Sequence, residues 1–562
     1  MLTPTDAAPL SATPDTHEVF NQPFALENYN SFLSDTALQE AVTREGAAWA
    51  TADLTRFGAE SGRAETILQG FQANENKPCF KTHDRFGRRV DEVEFHPAYH
   101  QLMNTAITEG LHASPWQDPK PGAHVARAAK YYLHTQVEAG HGCPITMTFA
   151  AIPALRKQPN IAEIWEPLIT NHVYDHRNIP FHQKNGLTLG MAMTEKQGGS
   201  DVRTNTTRAE PLGAAGPGEI YSLVGHKYFV SAPMCDGFLL LANAAGGLSC
   251  FLVPRWRPDG TKNPLQLQQL KQKMGNVSNA SSETELRGAW GWLIGEEGRG
   301  VANILEMVSM TRFDCMMGSS AGMRQAIVQI THHCHHRDAF GKPLDQQPLM
   351  QNVLADLILE NEAALALTLR IARALDESKH SPEAAALLRL GTALGKYWIC
   401  KRTPGHAYEA MECIGGSAVM ETSIMPRLYR EAPVNAIWEG SGNIQALDML
   451  RALSRSPETL ESYYQQLSLS LGKNNLYDLW LKKIQASLAD KDNIEYRARD
   501  ITEKMALALQ ANVLLETDNA LIADAFCSAR LRPDMGLNYG TLPKGIDCSA
   551  IIERARPELS RS

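Results

Sequence analysis

The chain lacks paired cysteine spacing: its ten cysteines run from Cys79 to Cys548 with no CxxC. In a long chain without an export signal, that scatter favours reduced thiols over a disulfide framework. It also lacks an apolar run long enough for a bilayer. The longest, "FLLLANAAGGLSCFLV" from Phe238 to Val253, is split by Gly246-Gly247 and reads as two strands and a turn. A surplus of positive charge is missing too, since the formal net charge is -8. Nucleic acid would therefore have to be met by a local patch. The first residues, "MLTPTDAAPLSATPDTHEVFNQP", show neither a basic segment leading into an apolar core nor a small-residue cleavage site. They read as a flexible arm, which makes the cytoplasm the expected compartment.

What is present is a chain of 562 residues, 43% hydrophobic and 21% charged, enough for two to four domains. After the arm (1–34), apolar residues recur at helical spacing over about 35–186, as in "HVARAAKYYLHTQVEAG". From about 187 to 297 the texture becomes short β-rich runs such as "YSLVGHKYFVSA" and "LSCFLVP". Helical periodicity returns over 298–454, for example "LMQNVLADLILENEAALALTLRIARAL". A further helical segment, 455–562, reads as a separate C-terminal unit. The expectation is an α+β protein, mainly α, in helical, β, helical order.

Two stretches in the middle region carry candidate chemistry. "MAMTEKQGGSDV" (191–202) gathers two glycines, hydroxyls and acids after a strand; it is either a ligand loop or a polar loop whose Ser200 and Asp201 only cap and turn. In "GHKYFVSA" (225–232), Phe229 and Ser231 share one face of a strand and could offer a ring an apolar plane and a hydrogen bond. A third feature, "HHCHHR" (332–337), sets His332 and His336 one helical turn apart, but no carboxylate stands at metal-site spacing, so no metal is expected.

Together with two later motifs, these stretches resemble the acyl-CoA dehydrogenase family. Its flavin loop T-E-P-x-A-G-S-D appears as "TEKQGGSD", and its K-x-W-[IV]-[TS] strand as "KYFVS". Its R-x-x-F-G-x-x-L-x-x-x-Q run is nearly matched by "RDAFGKPLDQQ", with the glutamine offset by one, and its E-G-[TS] segment by "REAPVNAIWEGSGNI". Four ordered motifs over about 250 residues are hard to meet by chance. The resemblance implies an N-terminal helical domain, a middle β domain, a C-terminal four-helix-bundle domain and, here, an extra helical extension.

It also implies FAD and a homo-oligomer, expected to be a tetramer. Met191, Met193, Thr194, Gly199, Ser200, Phe229 and Ser231 would hold the flavin side. Arg337, Phe340 and Gln347 would reach the diphosphate and adenine across a subunit interface, with Gly415, Gly416, Trp438, Gly440, Ser441 and Asn443 completing the cofactor set. Glu439 stands where many members carry the base that removes the α-proton of an acyl thioester, and Arg312 matches an arginine near the substrate. The plainer reading makes Glu439 a helix-start residue, with Ser441 or Asn443 as the cap.

The chain departs from the family pattern at Lys196 for proline, Phe229 for tryptophan and Glu412 for glutamine. Val308 and Ser309 replace aromatic and acidic residues used around CoA, and Trp438 could narrow the acyl cavity. These departures make the chain look most like a branch of the family linked to alkylation damage. That likeness implies double-stranded DNA binding and weak acyl-CoA dehydrogenase activity; the alternative is a metabolic acyl-CoA dehydrogenase with no DNA role. Basic and acidic residues nearly balance after Arg455, so a DNA site would need a local stripe such as Arg451 and Arg455.

Overall fold

A computed structural model describes residues 16–557. The proposed arm's residues 1–15 and the last five residues of the tail lie outside the described residues. The fold is α+β and mainly α, with helical, β and helical regions in the order anticipated.

In the N-terminal region, α1 (Ala123–Val137) and α2 (Gly142–Leu155) are buried on nearly every side. Apolar composition all round a helix demands protein on all sides. The region is not wholly helical, because Cys79–His83 and Arg89–Glu94 pair as an antiparallel hairpin. Its strands, the largely exposed "CFKTH" and the part-buried "RVDEVE", mix charges with apolar residues, so helical periodicity is a poor guide there.

The middle region is one sheet of β1 (Leu189–Ala192), β2 (Arg208–Pro211), β3 (Ile220–Ser231), β4 (Gly237–Ala244), β5 (Gly247–Pro254), β6 (Leu265–Leu270) and β7 (Ser281–Ile294). The order is β1-β4-β2-β3-β7-β5, with β6 on β7; β4 also pairs β5, which closes the path into a barrel-like ring. β4 and β5 are the two strands of the long apolar run, joined by a turn at Ala245–Gly246. "GFLLLA" is buried throughout, the pattern of a strand covered on both faces.

Three long helices follow: α3 (Gly300–His336), α4 (Pro348–Glu377) and α5 (Pro382–Ile414). Proline opens α4 and α5 at the first turn, where its missing N–H costs nothing, and alanine and leucine dominate α4. Short α6 (Met425–Glu431) and α7 (Gly442–Arg455) complete this region. The C-terminal extension does not carry a core of its own. Its helix α8 (Ala498–Leu515) packs on α4, α5 and α7, and its apolar residues join one cluster with the N-terminal and C-terminal helices. The β region has a second cluster, into which α2 and the start of α3 insert Met147, Ile304 and Met307. The candidate site lies along this seam.

Candidate functional site

The turn between α6 and α7 places Glu439. Its backbone is left-handed, φ 57°, uncommon for a residue with a Cβ, and Gly440 follows at φ 97°. Three buried or half-buried side chains hold that turn by its carbonyls. Arg312 Nε donates to the Glu439 carbonyl at 2.8 Å, Lys396 Nζ to the Gly440 carbonyl at 2.8 Å, and Gln445 Nε2 to both at 3.2 and 2.9 Å. Arg312 is braced in turn by Asp448, 3.0 Å away, which also pairs with Arg389. With the backbone spoken for, the Glu439 carboxylate is free to face inward. Its Oε2 accepts the Thr311 hydroxyl at 2.8 Å, and burial raises its pKa against the pull of Thr311, Arg312 and Lys396. A carboxyl so placed holds a proton more readily than one in water.

Helix capping does not account for Glu439. α7 begins at Gly442, and Ser441, at the cap position, makes no side-chain cap bond; Asn443 is exposed within the first turn. Trp438 is half-buried against the β-region cluster, with its indole N–H donating to Asn435 Oδ1 at 2.9 Å.

The loop after β1 is fastened to β3 from below. Glu195 and Lys227 form a fully buried ion pair at 2.8 Å, and Glu195 also accepts the amides and hydroxyls of Thr206 and Thr207. These contacts hold the Glu195 carboxyl well below the usual range. The Tyr228 amide donates to the Thr194 carbonyl, and Asn205 to that of Met193. Gly199 lies so close to Thr194 that an added Cβ would sit 2.6 Å from its hydroxyl. The amides of Gly199 and Ser200 make no hydrogen bond among the described residues. Phe229 is 42% exposed beside this loop, and Ser231 is half-buried one step along the same face. Met191 faces the β core, and Met193 packs against it. Lys196, the family's proline position, bridges to Glu283 at 2.5 Å.

Cys143 joins the two parts. Burial pushes its thiol up to about 11, and Lys273, Ser231, Asn279 and Glu439 surround it. Lys273 donates to the Asn279 carbonyl and to Ser281 Oγ, at 2.8 and 3.0 Å, and its pKa is lowered by burial. The Asn279 side-chain amide is 1% exposed and has no partner on either atom. Next to it, Glu431 accepts the Asn276 amide and faces Glu138; burial and that second carboxylate push its pKa to about 7.

These features fit a flavin: an exposed apolar ring, a hydroxyl and an unpartnered buried amide suit a planar heterocycle, and free loop amides suit a phosphate. The remaining predicted residues lie elsewhere. Arg312 and Arg337 stand 25 positions apart on or at the end of α3, roughly 38 Å along its axis. Arg337, Phe340 and Gln347 belong to a small hairpin, Asp338–Ala339 with Lys342–Pro343, where Gln347 Nε2 donates to the Ala339 carbonyl at 2.8 Å. Phe340, at φ 53°, is 99% exposed at its tip. Gly415 and Gly416 end α5 in the open, with nothing within 4 Å of an added Cβ. The Arg337 run and the end of α5 at Gly415 and Gly416 thus stand at the far end of α3 from Arg312 and the Glu439 turn.

Sequence reasoning missed the Glu195–Lys227 clasp, Thr311, Lys396, Gln445, Lys273 and Asn279. Charges at strand positions, as in "TEKQ" and "HKYF", were the visible signal for the clasp. The His332 and His336 rings lie tilted to each other with centroids 4.6 Å apart, each edge-on to Phe24. Among the described residues no group of three metal-binding side chains converges, and no helix is long and apolar enough to cross a membrane.

Comparison with known proteins follows the same division. Residues 21–176 match the adaptive response protein AidB N-terminal domain, 190–289 the acyl-CoA dehydrogenase middle domain, and 298–454 the acyl-CoA dehydrogenase C-terminal domain. AidB of Escherichia coli (strain K12) is 47% identical over 518 residues, 92% of this chain and 94% of that protein. The crystal structure of Caenorhabditis elegans ACDH-11 in complex with C11-CoA superposes with a TM-score of 0.86 at 26% identity, covering 96% of this chain and 97% of that one. An acyl-CoA dehydrogenase of Bacillus anthracis complexed with FAD shares the fold, with a TM-score of 0.62 at 19% identity over 77% and 81% of the two chains.

Proposed function

The chain belongs to the acyl-CoA dehydrogenase family, whose cofactor is FAD, and from that premise we propose that Glu439 is the base that removes the α-proton of a fatty acyl thioester. The observation that carries this reading is the half-buried Glu439 carboxyl on a strained turn, bonded by Thr311, with its pKa raised by desolvation and the buried Cys143 in its vicinity. A thioester α-proton is weakly acidic, and a carboxylate stripped of water is a stronger base than one in solution. Arg312 and Lys396 fix the turn through its carbonyls, leaving the carboxylate to accept the proton. FAD, when bound, supplies the acceptor for the hydride from the β-carbon. Met193, Thr194, Gly199, Ser200, Phe229, Ser231 and Trp438 would line its flavin side.

Arg337, Phe340 and Gln347 would serve the FAD of a second copy, with Gly415 and Gly416 nearby. The fully exposed Phe340, together with Leu349 at 85%, supports a homo-oligomer, in this reading a tetramer. C11-CoA in ACDH-11 supports a fatty acyl-CoA as the ligand class. With all ten cysteines unpaired, the compartment in this reading is the cytoplasm.

A second role, binding double-stranded DNA in an alkylation response, is favoured by the AidB likeness and by one surface feature. Arg451 and Arg455 are exposed one turn apart on α7, and neither forms an ion pair among the described residues. In this reading dehydrogenation is slow and DNA association is the cellular task; a purely metabolic enzyme is the rival. Purified holoprotein should release FAD on denaturation, be bleached slowly by fatty acyl-CoAs without oxygen, and bind duplex DNA with an affinity that falls steeply with salt. Fast bleaching without salt-sensitive DNA binding would favour the metabolic rival.

A further inference from the structure

In sequence the N-terminal arm reads as free, yet Asn21–Phe24 is tied to the start of the Arg337 run. Asn21 adopts φ 54°, a conformation asparagine tolerates better than most residues. Its side chain brackets one residue: Nδ2 donates to the Asp338 carbonyl at 2.9 Å, and Oδ1 accepts the Asp338 amide at 2.7 Å. Its backbone carbonyl then accepts Arg337 Nη1 at 2.6 Å. Three residues on, Phe24 sits edge-on against His332 and His336, with both ring centroids 4.8 Å away, and the Phe24 carbonyl is 2.9 Å from His332 Nε2. The histidine pair thus has a role: it is the seat for Phe24.

Only one edge of the guanidinium is engaged. Arg337 Nε and Nη2 make no hydrogen bond, and Arg337 forms no ion pair, among the described residues. A half-buried arginine aimed by one neutral carbonyl keeps its charge and most of its donor fork for an anion. Fixing a long side chain beforehand removes rotamer entropy that binding would otherwise cost.

We propose that Asn21–Phe24 is a strap that pre-orients Arg337 for the diphosphate of FAD, with Asn21 as the positioning residue. The strap rests on the reading that Arg337 reaches that diphosphate, and the experiment separates the two. FAD affinity is measured for full-length apoprotein carrying Asn21→Ala, Arg337→Ala or both, alongside the thermal midpoint of each apoprotein. Asn21→Ala keeps the backbone carbonyl but removes both side-chain bonds to the Asp338 backbone that hold that carbonyl against Arg337, and should weaken FAD about tenfold, the scale of one neutral hydrogen bond. Arg337→Ala should weaken it more, and the double variant should match Arg337→Ala alone, since the strap acts through that side chain. The apoprotein midpoints should stay together. If Asn21→Ala keeps parental affinity while Arg337→Ala loses it, the strap is wrong and the Arg337 reading stands. Losses that add in the double variant, or a lowered midpoint that accounts for the Asn21→Ala effect, also overturn the strap. Unchanged affinity in Arg337→Ala removes the diphosphate reading and the strap with it.

Discussion

The two ends of the candidate site are built on opposite principles. At the Glu439 end the framework is fastened within the chain, three side chains holding the turn and Lys227 matching Glu195 in full burial, while the Asn279 amide and the Gly199 and Ser200 amides stay open among the described residues. At the Arg337 end the groups are left open, with Phe340 99% exposed and Gly415 and Gly416 facing empty space. A turn that must hold a half-buried carboxyl in a left-handed backbone has to be over-determined, because strain and desolvation persist only where the surroundings enforce them. A surface that meets a second copy and its cofactor needs shape and free donors instead. One end is finished by folding, the other by assembly.

The comparison can be broken by removing supports and reading stability. The largest effect should come from Glu195→Gln, which leaves the Lys227 ammonium buried without a counter-charge. A cost of about 3–5 kcal/mol is the scale for half of a buried pair. The variant should melt far lower and lose FAD; a melt within a degree or two of the parent would show that the clasp is dispensable.

Glu431→Gln should have the opposite sign and depend on pH. The Glu431 folded value, about 7, lies above its ordinary 4.5, so its stabilising contribution is present below pH 4.5 and lost as pH rises towards 7. The variant should match the parent near pH 4.5 and exceed it by up to about 3 kcal/mol at pH 8. Melting curves for both proteins at pH 5 and 8 test this, and a gap that does not widen with pH contradicts it.

Thr311→Val removes the hydroxyl that bonds Glu439, a loss of about 1 kcal/mol. Because that bond favours the ionised form, the pH–rate profile of acyl-CoA-dependent bleaching should move upward, by about one unit at most. A profile that stays in place would separate Thr311 from the base. Smallest in stability, Phe340→Ser should change the apoprotein by no more than about 0.5 kcal/mol. It should nevertheless weaken FAD retention and subunit association, by gel filtration and flavin release. Unaltered assembly and FAD content would place the tip outside any interface.

Different physics made parts of this legible in sequence. The long run at Phe238–Val253 announced β4 and β5 because its glycines interrupt an otherwise apolar pattern. α4 announced itself through alanine and leucine at helical spacing. The hairpin at Cys79–Glu94 was hidden because its first strand is largely exposed and its second buries a charged residue, Asp91, beside Val93, so polarity does not alternate with burial. The extension looked separable because local periodicity says nothing about which helix a stripe will meet; α8 meets α4, α5 and α7. At the site, the motif lettering pointed to Glu439 and Phe229. Lys396, 43 residues before Glu439, Lys273 and Asn279 come near the turn or the Ser231 strand only through tertiary folding. Asn21 and Asp338 lie 317 residues apart, so the strap leaves no local trace at all.

The central claim is that the Glu439 carboxylate takes the α-proton, and exchange of that proton with solvent tests it without requiring net oxidation. Holoprotein with a saturated fatty acyl-CoA is incubated in D2O under anaerobic conditions, and deuterium at Cα is followed by mass spectrometry for the parent and Glu439→Gln, each matched for bound FAD. The parent should incorporate deuterium at Cα, while the amide variant, unable to accept a proton, should be slower by about 10²–10⁴-fold. Equal incorporation by parent and variant would contradict the account.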